Sequence, residues 1–312
     1  MPKPAIDFPY EIYDAHHHFW DLDQVHYPWL ATKGIKRFFG DPAPIQRNYL
    51  YHDLQKDIGQ LPVKKSIHIQ VGADKDQHFL ESQTIQDIAQ SKGLADGIIA
   101  YASLESDDIN LQLDQLTTLP NLRGIRQIIG RSPQEDKITG TDKLTNDSKW
   151  LEGLKELEKR NLSFDLQLIP DQMLKAVNIF QQVPNLKVAL CHCGSPWYRD
   201  SDGWAMWEKG LVSIAELPNS MCKVSGLSMF DHQWTVDSLR PIIETVISIF
   251  GSERVMFGSN FPVDKLHTDY ARLWFAYLEI VNGIHQLNDV QKQAMFRDNC
   301  ARFYKLESEN KA

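Results

Sequence analysis

Two histidines one residue apart, His16 and His18, stand at the end of the apolar run Ile12-Tyr-Asp-Ala-His-His-His-Phe-Trp20. On a β-strand residues i and i+2 share a side, so this pair presents two imidazoles together while His17 points away. Two neutral imidazoles on one side are half of a divalent metal site. They can equally polarise a carbonyl or move a proton near neutral pH. Polar residues close other apolar runs in the same way: His68 with Gln70, Arg126, Asp165 with Gln167, His192, Lys223 with Ser225, and Asn260. Arg126 carries the planar fork that grips a carboxylate through two bonds. His192 lies between Cys191 and Cys193. On a strand both cysteines face away from it, so the trio reads as one inward histidine and two packing thiols, not as a zinc cluster.

Such side chains work together only if the elements beneath them converge. Strand-like runs fall at 12–18, 63–71, 97–104, 123–129, 163–169, 186–193, 220–226 and 254–260. Amphipathic helical patterns fall between them at 76–91, 147–160, 171–183, 204–217 and 236–250, and Pro or Gly turns precede several strands. Eight strand–helix units predict a parallel (β/α)8 (TIM) barrel, read as a single domain over 1–312. In that fold the carboxyl ends of the strands build the active site, which is where the polar residues collect. The connection 21–49 is long and holds Tyr27-Pro28-Trp29 and Phe38-Phe39, so it reads as a loop over the barrel mouth. A final helix is expected at 289–303, outside the barrel.

Bulk properties narrow the function class. The chain has 312 residues, 33 basic against 41 acidic, a net charge of −8, and no basic cluster, which argues against a nucleic-acid partner. No run approaches the roughly eighteen apolar residues of a membrane span, and the amino terminus has no signal-like apolar stretch. Four cysteines make no disulfide scaffold, so a cytoplasmic protein with reduced thiols is expected. The expected partner is a small-molecule substrate, and a homo-oligomer is compatible with this composition. A Gly-x-Ser-x-Gly elbow, a P-loop and a dinucleotide fingerprint are all missing.

Read in order, the landmarks Asp14-Ala-His-His-His-Phe-Trp-Asp21, Tyr27-Pro-Trp-Leu30, His68-Ile-Gln70, Arg123-Gly-Ile-Arg-Gln127, His192-Cys-Gly-Ser-Pro196, Lys223-Val-Ser-Gly-Leu227 and Arg254-Val-Met-Phe-Gly-Ser-Asn-Phe-Pro-Val263 run over nearly the whole chain. In this order they resemble the amidohydrolase superfamily, and within it the barrel hydrolases that include sugar lactonases such as L-fuconolactonase and L-rhamnonolactonase. The resemblance implies that His16 and His18 are a strand-one pair that binds a metal, or polarises a carbonyl directly where no metal is kept. It implies that His192 faces substrate or metal. One divalent metal, zinc or manganese, held by His16, His18 and His192, and no metal at all both stay open. By the same resemblance His68, Gln70 and Arg126 hold polar substituents of the substrate, and Trp20, Trp29 and Trp197 wall the pocket.

Two departures bear on mechanism. The strand-eight position that carries an Asp in the family is Asn260 here, and an amide cannot take a proton from water at neutral pH. The Asp usually found before the strand-six histidine is Cys191. With the catalytic set His16, His18, His192 and Asn260, the first expectation is a lactonase that opens a sugar or carboxylated lactone by water attack. The base would be His192, Asp264 or a metal-bound hydroxide. The alternatives are metal-dependent non-oxidative decarboxylation, and a barrel that only binds a sugar acid or lactone.

Overall fold

All eight apolar runs form strands in the computed structural model, which describes residues 7–306; part of the amino-terminal reading, residues 1–6, lies outside them. The strands are β1 Ile12–His17, β2 Val63–Ile69, β3 Gly97–Ala100, β4 Leu122–Ile125, β5 Ser163–Leu166, β6 Val188–Leu190, β7 Ser220–Val224 and β8 Val255–Phe257. They pair in parallel in chain order, a nearly closed barrel with helices between the strands. The seam between β8 and β1 is bridged just past β8, where Asn260 N–H donates to the His16 carbonyl (2.7 Å) and His18 N–H to the Phe261 carbonyl (2.8 Å). Asp14 braces this seam from below, accepting from the backbone N–H and hydroxyl of Ser259 and from the Tyr270 hydroxyl.

Every strand stops before its apolar run does. His18, Gln70, Arg126, Gln167, His192, Ser225 and Asn260 therefore lie just past the ladder, free of its alternation, whereas His16, His68, Asp165 and Lys223 lie within it.

Outside the strands, the helix Val236–Phe250 shows how the outer ring is fastened. Leu239, Ile242, Ile243, Val246, Ile247 and Phe250 repeat at helical spacing and are all buried, and the Thr235 hydroxyl caps the first turn by accepting from Ser238 N–H. Inside the barrel, Tyr13, Ala15, Ile67, Ile69, Ile99, Ala189, Met221 and Met256 form a separate apolar cluster. The expected carboxy-terminal helical segment is present and packs onto the barrel. Asn299–Tyr304 follows the helix Asp289–Gln293 and a π turn, and brings Cys300, Phe303, Tyr304 and Leu306 into that interior cluster, closing the amino-terminal end. Among the described residues no helix is long and apolar enough to cross a membrane.

Candidate active site

Simple alternation on β1 would not put His16 and His18 in the barrel. Tyr13 and Ala15 point inward, so His17 should follow them. Between Asp14 and His17, however, β1 advances three residues while β2 advances from Ser66 to His68, a bulge that resets the parity. The His16 and His18 rings then lie 5.1 Å apart between centres on the inner side, and His17 turns away against Phe19, at 4.7 Å. A Cβ added to Gly258 would fall 2.7 Å from the His16 Cβ, so the glycine is what lets β8 pass this close.

Strand six also departs from alternation. β6 ends at Leu190, and His192 and Cys193 take the left-handed backbone at φ 55° and 53°. That turn swings His192 over the barrel, with its ring 4.6 Å from His16 and its Nδ1 2.9 Å from the Ser225 hydroxyl. Cys191 lies inside as well, among Arg126, Asp165 and Lys223. The two cysteines thus do not share a face, which corrects the strand-based expectation; Cys193 alone packs outward. A Cβ on Gly226 would stand 2.4 Å from His192 Nδ1, so this position admits only glycine while the imidazole stays in place. Asn260, past β8, is also left-handed at φ 55°, a conformation that asparagine tolerates better than most residues.

These groups surround a cavity of about 310 Å³ at the carboxyl end of the barrel, within the range of small-molecule sites. His18, His192, Asn260, Gln70, Arg126 and Gln167 supply its polar floor, and Trp20, Trp29, Phe38 and Phe39 much of its apolar wall. The 21–49 connection contributes Trp29, Arg37, Phe38 and Phe39 to this lining. It is anchored by Trp29 Nε1–H to the Val71 carbonyl (2.8 Å) and by a two-pronged pair of Arg37 with Glu135.

Three of the expected site residues do not line the cavity. His16 lies one layer below, under His18 and His192, with both ring nitrogens buried and without partners. His68 faces outward because Ile67 and Ile69 take the inner positions of β2. Its Nδ1 accepts from Phe19 N–H at 3.2 Å, and only Gln70, past the strand end, reaches the cavity. Trp197 stands behind the wall, donating to the Arg131 carbonyl and packing on Phe38 and Phe230. Asp264 is fully buried behind Asn260 and does not line the cavity, so it is not placed to act on a substrate directly. Lys223 is spent deeper in the barrel on Asp165. Sequence reasoning missed Arg131, which lines the cavity six residues after β4 ends; nothing in its neighbourhood, Gly130-Arg131-Ser132-Pro133, signals it.

Burial sets the electrostatics. It pushes the His18 imidazole down to about 3, with the Arg126 charge adding to the effect, and holds His16 and His192 well below the usual histidine range. All three rings are neutral at pH 7. His18 Nδ1 is 2.7 Å from the Ile69 carbonyl, which only accepts, so Nδ1 carries the hydrogen and Nε2 keeps its lone pair. Arg126 is almost wholly buried. It donates to Gln167 Oε1 (3.0 Å) and to the Gln70 carbonyl, its Nε has no partner, and no carboxylate bonds to it among the described residues.

Three neutral imidazoles are suitable donors for zinc in type. Their arrangement does not complete a cage: among the described residues no three His, Cys, Asp or Glu side chains are placed to hold a metal ion. The Ile69 carbonyl and the Ser225 hydroxyl hold one nitrogen each of His18 and His192, which leaves the other free, but the further contributor near them, Asn260, is an amide and not a carboxylate. The residues present therefore do not fit the metal centre that the resemblance implied.

The amidohydrolase family model matches residues 13–306. An uncharacterised protein of Sinorhizobium fredii is 35% identical over 296 residues, spanning 95% of this chain and 98% of the relative. An L-fucono-1,5-lactonase of Burkholderia ambifaria is 24% identical over 307 residues, spanning 94% of this chain and 95% of that one. The crystal structure of an amidohydrolase from Burkholderia multivorans with bound zinc superposes with a TM-score of 0.79 at 20% identity, over 95% of this chain and 100% of the other.

Proposed function

The chain belongs to the amidohydrolase family, and from that premise we propose that it hydrolyses a lactone bearing a carboxylate. The observation that carries the reading is Arg126, a buried guanidinium on the cavity floor beside His18 and His192 with an unused N–H and only neutral acceptors. Asp165 and Glu81 act on this cation only through space, so among the described residues it has no bonded carboxylate, and an anionic substrate group supplies one through a bidentate pair. Arg131 lines the same cavity and adds a second positive charge. The lactonase named among the relatives supports cyclic-ester chemistry.

In this reading the substrate carboxylate docks on Arg126, with Gln70 and Gln167 holding that guanidinium in place. Trp20, Trp29 and Phe39 exclude water around the ring. The lactone carbonyl then lies over His18 and His192. Binding an anion to Arg126 cancels part of the positive potential that depresses His18, so the imidazole becomes a better base once substrate is in place. His16, beneath them, supports the two rings by packing. The substrate is a small molecule, and no step calls on nucleic acid, a membrane or a second subunit. The cytoplasm is the proposed location.

The test is acid release from paired lactones that differ only in a ring carboxylate. We expect turnover of the carboxylated member, and Arg126→Met to raise its KM by about 50-fold or more, the scale of one charge-assisted bidentate contact. Equal turnover of the neutral partner, or CO₂ release in place of acid, would overturn the reading.

A further inference from the structure

Asn260 stands where the family resemblance leads one to expect the carboxylate of a general base, yet a carboxylate is present one helical turn later in sequence. Asn260 Nδ2 is 2.7 Å from Asp264 Oδ1, and Asn260 Oδ1 is 3.3 Å from His18 Nε2. While Asp264 is ionised, the polarity of this chain is fixed from both ends. An ionised carboxylate only accepts, so the amide nitrogen faces Asp264 and the amide oxygen faces His18. The Ile69 carbonyl takes the hydrogen of His18 Nδ1, so Nε2 presents a lone pair. Two acceptors, Nε2 and Oδ1, therefore face each other at the cavity floor with no hydrogen between them. Such a pair is satisfied by a molecule with two O–H donors.

We infer that His18 Nε2 and Asn260 Oδ1 form the seat of the attacking water, and that Asp264 is the positioning residue that holds the amide in the accepting orientation. Both hydrogens of the water are then committed, and its lone pairs are directed at the lactone carbonyl. As the water oxygen bonds to the carbonyl carbon, one proton passes to His18 Nε2 and the π pair moves to the carbonyl oxygen. The ring C–O bond then breaks, and the imidazolium returns the proton to the leaving oxygen, giving the hydroxy acid. The imidazolium formed midway donates to Asn260 Oδ1, which the Asp264 charge has made a stronger acceptor. Thus a carboxylate that never touches substrate does, through an amide, part of what a direct base would do.

The groups facing Asp264 are the Asn260 amide, the Ser228 hydroxyl and N–H, and the Tyr277 hydroxyl, none of them charged at neutral pH; beyond Asn260 the nearest charge acting on His18 is Arg126. Burial pushes the Asp264 carboxyl up to about 7. Once it is protonated, nothing forces the amide nitrogen toward it. The amide is then free to turn its N–H onto His18 Nε2 and occupy the base.

The chemical step rests on the hydrolytic reading, whereas the amide polarity does not, and the experiment separates them. The Asn260 side-chain amide is followed by ¹⁵N NMR against pH in the wild type and in Asp264→Asn, with Asn260→Ala for assignment. We expect the wild-type resonance to titrate with a midpoint near 7 and the variant resonance to stay flat. In turnover of the carboxylated lactone, corrected for spontaneous opening, kcat should rise through the same midpoint. In Asp264→Asn it should be about 10-fold lower and lose that limb, with KM within about twofold. An Asn260 amide that does not titrate near 7, or a variant with wild-type kcat and pH profile, overturns the inference. If Asp264→Asn does not fold, the wild-type amide titration and its coincidence with the kcat limb decide the matter. A wild type that opens no lactone removes the substrate reading, and the amide titration still decides the polarity.

Discussion

The two ends of the barrel bury charge in opposite ways. Toward the amino-terminal end Lys223 donates to Asp165 (2.5 Å) and to the Ala15 carbonyl (2.8 Å), the Tyr304 hydroxyl donates to the same carboxylate, and the Tyr304 ring lies under the ammonium. That buried ion pair is complete, and Tyr304 and its neighbours close that end. At the carboxyl end, among the described residues, Arg126 lacks a bonded carboxylate, both nitrogens of His16 are unpaired, and two acceptors face each other across 3.3 Å. The same fold and the same degree of burial thus give a completed network at one end and an incomplete one at the other. Completed buried polarity specifies structure, whereas incomplete buried polarity waits for a ligand.

That contrast breaks if substitutions at the two ends do the same thing. The largest expected effect is His18→Ala, which should lower kcat by about 10³-fold while leaving the melting temperature nearly unchanged, read by lactone turnover and by thermal unfolding. Next is Lys223→Met. It leaves the Asp165 carboxylate buried and unpaired, and should cost about 3 kcal/mol or more of unfolding free energy in a denaturant titration. Surviving folded protein should retain KM. A Lys223→Met variant with normal stability but no turnover would assign the lower network to catalysis instead.

A smaller effect sharpens the comparison through pH. Burial raises Asp264 to about 7, so the folded state holds this proton more tightly than the unfolded chain does. That preference stabilises the fold below about pH 4 and is progressively lost as pH rises toward 7. Asp264→Asn escapes the loss. Its melting temperature should exceed that of the wild type by a few degrees at pH 8 and match it near pH 4, and an identical difference at both pH values would contradict the assignment. The smallest expected effect is that of chelation. Because among the described residues no three ligating side chains are placed to hold a metal ion, exhaustive treatment with EDTA should change turnover by less than about twofold.

Much of the architecture was readable from local pattern. Eight apolar runs and the helical stretches between them have periods that belong to short stretches of chain, and the barrel follows from repeating one unit. The placement of Arg126, Gln70 and His192 at the carboxyl ends followed from the same pattern, because in this architecture run ends converge. His68 was misplaced because pairing of β2 puts Ile67 and Ile69 inside, and one step of parity reverses every side chain. Trp197 was misplaced because loop residues have no periodicity to read. Arg131 was missed for the same reason.

By itself the sequence determined the order of elements, the family, and which residue types are available at the barrel mouth. Tertiary structure alone decided which of them meet. The bulge on β1, the left-handed turns at His192 and Asn260, and the glycines at 226 and 258 that admit the imidazoles are choices of backbone made against distant neighbours. The unmet charge of Arg126 and the Asp264–Asn260–His18 chain likewise depend on contacts between residues up to 242 positions apart. Hydrogen-bond polarity and desolvation are properties of those contacts, and no local spacing contains them.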